Sequence, residues 1–260
     1  MDSLVKSDSP TSYLLKMEWF KLRPTFWTSE AYLTCVSGLT SFRFQNSNWL
    51  EAEGGICLFP PITDQGKYDL SIPTWAIPSD QPNEDFHFLD WEYIYHPENF
   101  LNLSGNKWEV FRKNSRKWAK VHPYWSYSSL KDWGKSSESV LIKWLENRPD
   151  DEIHDNEVML KYLSQGNGQI FGLYEKDRLV GFNCWDSNYR WTNFRYSFAD
   201  PEEPWLSEFL RLLFYQSQMQ VQEVNDGGVL DNPNLERFKD KLHPAEKNKV
   251  YSSWENLLPC

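Results

Sequence analysis

The chain has little cysteine. Cys35, Cys57, Cys184 and Cys260 are scattered through 260 residues, and no two stand at CxxC spacing. His87, His96, His122, His154 and His243 show no metal-ligand spacing either, so no metal site is expected. Four cysteines in a chain of this length are ordinary for a reduced, cytoplasmic protein. There is no apolar run of about 18 residues, the length a membrane-spanning helix needs. The first residues, MDSLVKSDSPTS, have no apolar core of the kind a secretory signal carries. P-loop, nucleophile-elbow, kinase and zinc-deaminase patterns are all missing. Positive charge is short overall: 27 Lys and Arg against 37 Asp and Glu give a net charge of -10. That argues against wholesale non-specific nucleic-acid binding, whose affinity comes from neutralising phosphates, and leaves a local basic groove open.

What is plentiful is aromatic. Fourteen Trp, thirteen Tyr and sixteen Phe accompany a 40% hydrophobic content. Such a load fits a core built from large side chains better than a stacking surface. The length allows one large domain or two small ones.

The scarce positive charge is concentrated in one stretch, Leu103 to Lys120. Lys107, Arg112, Lys113, Arg116, Lys117 and Lys120 stand there against a single acid, Glu109. Wound as a helix at about 100° per residue, it puts Trp108, Phe111, Ser115 and Trp118 on one side and the cations on the other. A solvated charged face is the ordinary reading of such a pattern. The sharper one is a surface that grips the phosphates of a donor or acceptor, through Lys107, Arg112, Lys113, Arg116 and Lys117.

The rest is read in order. Residues 1–12 are expected to be a disordered tail. Tyr13–Leu22 reads as a strand or short helix, Ser29–Gly38 as a helix and Leu39–Gln45 as a strand. Trp49–Ala52 and Gly55–Phe59 read as a hairpin. Residues 62–85, rich in Pro, Asp and Ser, read as loop, and Phe86–Tyr95 as a strand. The second half predicts helices at Ser136–Asn147, capped by serines, and Asn156–Gln165. Strands follow at Gln169–Tyr174, Leu179–Trp185 and Trp191–Phe198. A long helix at Pro204–Gln220 starts with Pro at its first position. A strand from Glu223, a short helix at Asn234–Leu242 and a strand at Lys249–Trp254 complete the chain.

Two segments carry a family resemblance. YIYHPENFLNLSGNKWEVFRKNSRKW resembles the central motif of soluble relatives of the phosphatidylglycerol lysyltransferase catalytic domain. Tyr93, Tyr95, Glu98, Leu103, Gly105, Lys107, Arg112, Lys117 and Trp118 occupy its positions, and Lys113 stands where the family has Asn. VNDGGVLDNPNLERFKDKLHP is similar to its second motif, through Asn225, Leu235, Lys239 and Pro244. The family's Asp falls on Val229, flanked by Asp226 and Asp231, and its Arg falls on Glu236. Thr40-Ser-Phe, Trp49 and Leu58-Phe-Pro-Pro61 match the family's opening.

The resemblance implies an α+β architecture of two GNAT-like (N-acetyltransferase-like) halves. These are placed at residues 13–130 and 131–260, with mostly antiparallel sheets flanked by helices. The order of elements in the second half agrees. The resemblance also implies transfer of an acyl or aminoacyl group from a phosphate-bearing donor, acyl-CoA or aminoacyl-tRNA, to an amine or hydroxyl, with no tightly bound cofactor. Asn225 would orient a substrate or shape an Asx-turn. Asp226 or Asp231 would take the proton, and Lys239 would stabilise the oxyanion. A Gly-rich loop before the long helix normally offers backbone N–H groups to a pyrophosphate. Ala199–Trp205 has no Gly, two Pro and three acids there, which speaks against ordinary acetyl-CoA binding. Two other readings stay open. One is a transferase that modifies a nucleic acid; the other is a silent GNAT-like protein that binds tRNA, DNA or a protein partner. The oligomeric state is not legible in the sequence.

Overall fold

A computed structural model of the chain describes residues 5–6, 35, 40–44, 47–52, 56–57, 62–63, 77–78, 87–130, 133–148, 156–165, 168–188, 191–229 and 231–252. The segments read as Tyr13–Leu22 and Ser29–Gly38 lie outside these residues, Cys35 apart. The chain divides into two compact units, 1–92 with 247–260 and 93–246. This division differs from one at residue 130. The basic helix and the strand after it pack with the elements that follow them, in the second unit.

The first unit contains β1 (Val5–Lys6), β2 (Thr40–Phe44), β3 (Ser47–Ala52), β4 (Ile56–Cys57), β5 (Ile62–Thr63) and β6 (Ile77–Pro78). β1 to β4 are neighbours in that order, and β5 also pairs with β3. The expected hairpin is present as β3 and β4, with Glu51 opposite Cys57. Two expectations need correction. Val5–Lys6, in the segment read as a disordered tail, pairs with Phe42 and Arg43. Residues 62–85, read as loop, hold β5 and β6. Both are two-residue strands, too short to show a period of two in the sequence.

β7 (His87–Tyr95) leads into the second unit. There follow α1 (Glu109–Val121), β8 (Trp125–Ser129), α2 (Lys135–Glu146), α3 (Asn156–Gln165), β9 (Gln169–Glu175), β10 (Arg178–Asn188), β11 (Trp191–Ala199), α4 (Leu206–Ser217), β12 (Glu223–Asn225) and α5 (Pro233–Asp240). β13 (Glu246–Ser252) comes last and pairs with β6. In the second unit the strands lie in the order β7, β12, β11, β10, β9, β8. All pair antiparallel except β11 and β12, which are joined through α4 and run parallel.

α4 and α1 cover one face of this sheet. Trp118 of α1 stacks on Phe209 of α4 at 5.1 Å. Both belong to a buried cluster with Leu173, Val180, Ala199, Leu206 and Leu210. α2 and α3 cover the other face, where Trp144 packs on Phe198 and Tyr162 on Tyr196. The aromatic load is thus largely core: Trp118, Trp185, Tyr93, Tyr95, Tyr162 and Tyr215 are among the most deeply buried side chains.

Local sequence explains the ends of the helices. α1 follows a turn in which Leu103 and Gly105 take positive φ, 47° and 90°. Its buried residues are Phe111, Ser115 and Trp118, as the 3.6-residue period requires. α2 begins at Gly134, where the Ser137 hydroxyl accepts from Gly134 N at 3.0 Å. The capping serine therefore sits at the third helical position, not ahead of the helix. α4 starts later than Pro204. Trp205 adopts φ 66°, a left-handed conformation that a helix interior does not admit. α5 starts with Asn232, whose side chain accepts from Asn234 N and Leu235 N, and Pro233 fills the first helical position.

α4 lies close on the sheet because β10 offers Gly181. A Cβ there would stand 2.8 Å from Phe198 O and 3.1 Å from Leu210 Cδ2. The first of these is backbone and cannot step aside. Gly181→Ala should lower stability by about 1–3 kcal/mol, the usual range for overpacking, as a reduced urea midpoint at unchanged slope.

Candidate functional site

Asn225, Asp226 and Lys239 come together where β12 ends. Asn225 closes the parallel ladder, opposite Asn193. Its Oδ1 accepts from Gly227 N at 2.9 Å, the Asx-turn its position suggested. Gly227 takes φ 64°, open to glycine at no steric cost. Asp226, the next residue, faces α4. Its Oδ2 accepts from Arg211 Nη1 at 2.5 Å and from the Tyr215 hydroxyl at 2.6 Å. Its Oδ1 lies 3.3 Å from Lys239 Nζ.

Lys239, on α5, is 3% exposed. Its ammonium donates to Asp226 O at 2.5 Å, Gly228 O at 2.6 Å and Gly227 O at 3.3 Å. The three carbonyls of one turn thus converge on one cation. Tyr95 of β7 joins the cluster, donating its hydroxyl to Lys239 O at 2.8 Å. Tyr215 stacks on Phe100 at 3.9 Å. The Arg211 guanidinium lies 3.9 Å from the centroid of Phe194, a favourable face for a cation.

The electrostatics follow from this packing. Burial alone would push Asp226 up. Arg211, Lys239 and the Tyr215 hydrogen bond outweigh it and hold the carboxyl below its ordinary value. Burial, with Asp226 adjacent, drives the Tyr215 and Tyr95 phenols well above theirs. Asp226 is therefore ionised, with both oxygens engaged, and acts as an anchor rather than a free base. Asp231 is not part of the cluster. It is exposed, at φ 55°, one residue before the α5 cap. Arg211 and Tyr215 were not singled out by sequence reasoning. A signal existed: Arg211 interrupts the otherwise apolar run Phe209–Tyr215 of α4, and a buried charge demands a partner.

The basic helix separates into committed and open cations. Arg112 donates to Leu103 O and to Gly105 O, closing the turn before α1. Lys117 lies 4.5 Å over the Trp205 ring, and Lys107 lies 5.6 Å over Trp108. Lys113, Arg116 and Lys120 are exposed. α1 is tied to the anchor cluster from below. Asn114 and Lys241 both donate to Glu208 Oε1, at 3.1 and 3.0 Å. His243 Nε2 meets Lys107 O at 2.8 Å.

The acidic loop before α4 satisfies itself. Glu202 N donates to Asp200 Oδ1 at 3.1 Å, Glu203 N to Asp200 O at 3.1 Å and Leu206 N to Glu203 O at 3.4 Å. Lys143 pairs with Asp200 and Glu202, and Arg178 with Glu203. His122 Nε2 also lies 3.3 Å from Glu203. Three backbone donors, at Glu202, Glu203 and Leu206, and the cations Lys143 and Arg178 are therefore occupied.

A second buried pair sits on the opposite face. Asp186 accepts from Arg195 Nε at 2.7 Å, Asn193 Nδ2 at 2.9 Å and the Tyr162 hydroxyl at 3.2 Å. Arg195 is the extra residue of a β-bulge: Cys184 pairs with Tyr196 and Trp185 with Phe194.

Removing Arg211 takes the leading countercharge from the buried Asp226 carboxylate and leaves it only Lys239 and the Tyr215 hydroxyl. Arg211→Met should cost about 3–5 kcal/mol in urea denaturation, and Arg211→Met with Asp226→Leu should recover part of that. The depressed Asp226 carboxyl stabilises the fold above the ordinary aspartate value of 3.8. That contribution fades as pH falls through its lower folded value. Asp226→Asn should therefore flatten the acid limb of the stability profile below about pH 4, measured by denaturant midpoints across pH.

No family model matches the chain, and no curated protein matches it. Solved structures do. A conserved protein of unknown function from Bacteroides thetaiotaomicron aligns over 96% of this chain and 98% of its own, with TM-score 0.75 and 14% identity. L-PGS from Bacillus licheniformis aligns over 99% and 96%, with TM-score 0.65 and 15% identity. The C-terminal domain of an assigned lysylphosphatidylglycerol synthetase from Agrobacterium fabrum aligns over 95% and 93%, with TM-score 0.63 and 13% identity. The chain therefore has the mixed α+β, GNAT-like fold of the lysylphosphatidylglycerol synthetase C-terminal domain.

Proposed function

We propose that this protein is an acyl- or aminoacyltransferase that moves its group from a phosphate-bearing donor to an amine or hydroxyl. The observation that carries the reading is the parting of β11 and β12. They pair only from Trp191 to Asn193, and β11 then runs six residues further, to Ala199. Among the described residues no strand pairs with that length of β11 on the β12 side. An extended, amide-bearing donor arm fits such an edge, because main-chain groups can hydrogen-bond to it as an added strand would.

The loop before α4 has the N–H groups of Glu202, Glu203 and Leu206 engaged by its own oxygens and Lys143 and Arg178 already paired, so it offers little to a pyrophosphate and an aminoacyl-tRNA donor is favoured over acyl-CoA. Its phosphates would meet Lys113, Arg116 and Lys120 on the exposed face of α1. No tightly held cofactor is required. The engagement of both Asp226 oxygens supports one other reading, a silent GNAT-like protein that uses the same basic face to bind nucleic acid or a protein partner.

The test is single-turnover transfer from a pool of radiolabelled aminoacyl-tRNAs, and separately from acyl-CoAs, to a panel of amines and hydroxyl compounds. Transfer from tRNA is expected. Lys113→Glu with Arg116→Glu should weaken donor binding about tenfold or more and lower its salt dependence. Transfer from acyl-CoA alone would overturn the donor assignment. Salt-dependent tRNA binding without transfer would favour the silent protein.

A further inference from the structure

The turn after β12 leaves one backbone donor over. Tyr93 N donates to Gly227 O at 3.2 Å, and Asp226 N donates to Tyr93 O at 2.8 Å. Gly227 N is taken by Asn225 Oδ1. The next amide, Gly228 N–H, has no acceptor among the described residues. The described chain has no cis peptide bond, and in a trans peptide the N–H points opposite to the C=O. Gly227 O faces β7, where Tyr93 lies. Gly228 N–H therefore faces away from β7. β12 lies between β7 and β11, so this amide is directed toward the side on which β11 has already parted.

The same peptide unit carries a cation at its other end. Lys239 Nζ lies 3.3 Å from Gly227 O. The ammonium beside that oxygen draws electron density through the amide and makes Gly228 N–H a stronger donor. Lys239 is buried, so water does little to damp its field, which Asp226 Oδ1 at 3.3 Å partly offsets.

From this we infer that Gly228 N–H is an oxyanion donor and that Lys239 is a positioning residue acting through it. The inference rests on the transferase reading above. In the reaction, the lone pair of the acceptor amine or hydroxyl forms a bond to the donor's carbonyl carbon. The carbonyl π pair moves onto oxygen, and Gly228 N–H receives that charge. Collapse re-forms the C=O bond and expels the donor's ester oxygen or thiolate, and the acceptor's proton passes to solvent. Lys239 touches no substrate: its three carbonyl partners hold the turn and polarise the one amide.

Two measurements on the full chain decide it. The first is hydrogen exchange of the 15N-glycine-labelled protein by NMR. Gly228 should exchange far faster than Gly227, and Lys239→Met should move the Gly228 amide proton upfield. Protection of Gly228 equal to that of Gly227, or an unmoved resonance in a folded Lys239→Met protein, would overturn the assignment. The second is the transfer assay on Gly228→Pro, which removes the N–H, against Gly228→Ala, which keeps it. Gly228 is not among the residues with positive φ, so its backbone conformation is one that alanine can adopt. The proline variant should lose about 10²–10³ in kcat with KM little changed, the scale for one oxyanion donor. The alanine variant should stay within about threefold, a loss under 1 kcal/mol of barrier. Lys239→Arg should retain more activity than Lys239→Met. Equal losses in the two glycine variants, at matched melting temperatures, would refute the role. If the native protein transfers nothing, the functional reading falls, and the exchange result alone still decides whether the amide is open and polarised.

Discussion

The second unit depends on one buried ion pair. Arg211 projects from the middle of α4, and Asp226 stands at the end of β12. Neither charge could be buried alone, because desolvation would outweigh any packing gain. Together, and with the Tyr215 hydroxyl, they fix the helix relative to the strand that follows it. Lys239 then brings in α5, and Tyr95 brings in β7 through Lys239 O. Four elements that no single ladder connects are held by one carboxylate and its neighbours. The Asp186–Arg195 pair does similar work on the opposite face, where it seats the bulged residue of β11 against α3.

Much of this unit is legible in the sequence, for physical reasons. α1, α2, α3 and α5 and the strands β9 to β11 carry clear periods or caps, and they lie close to where those signals put them. Trp108, Phe111, Ser115 and Trp118 are buried on one side of the basic stretch because helical geometry leaves no alternative. Asn225, Asp226 and Lys239 are neighbours, as their shared motif suggested. Arg211 is harder to read. Its partner lies across a helix and a turn, and only the oddity of a charge among Phe and Leu points to it. Arg112 misleads in the opposite way: in sequence it belongs to the cationic face, yet two carbonyls of the preceding turn claim it. The division into units is illegible, because it follows contacts between distant segments rather than any local breaker.

Charge is distributed to match. The chain is acidic overall, but around the start of α4 its acids are paired internally with Lys143 and Arg178. Lys113, Arg116 and Lys120 are exposed on α1. A loop saturated with its own cations next to an exposed basic face sets a steep local gradient of potential. Such a gradient orients an approaching polyanion before contact.

The brevity of the β11–β12 ladder has a thermodynamic consequence. Three register positions join the strands, and α4 with Arg211 supplies the stiffness across the gap. Among the described residues no strand occupies that side of β11 beside Phe194–Ala199, so a strand-like guest there would displace none of their ladders. The free energy of each new main-chain hydrogen bond would then appear in affinity, instead of being spent on breaking an older one.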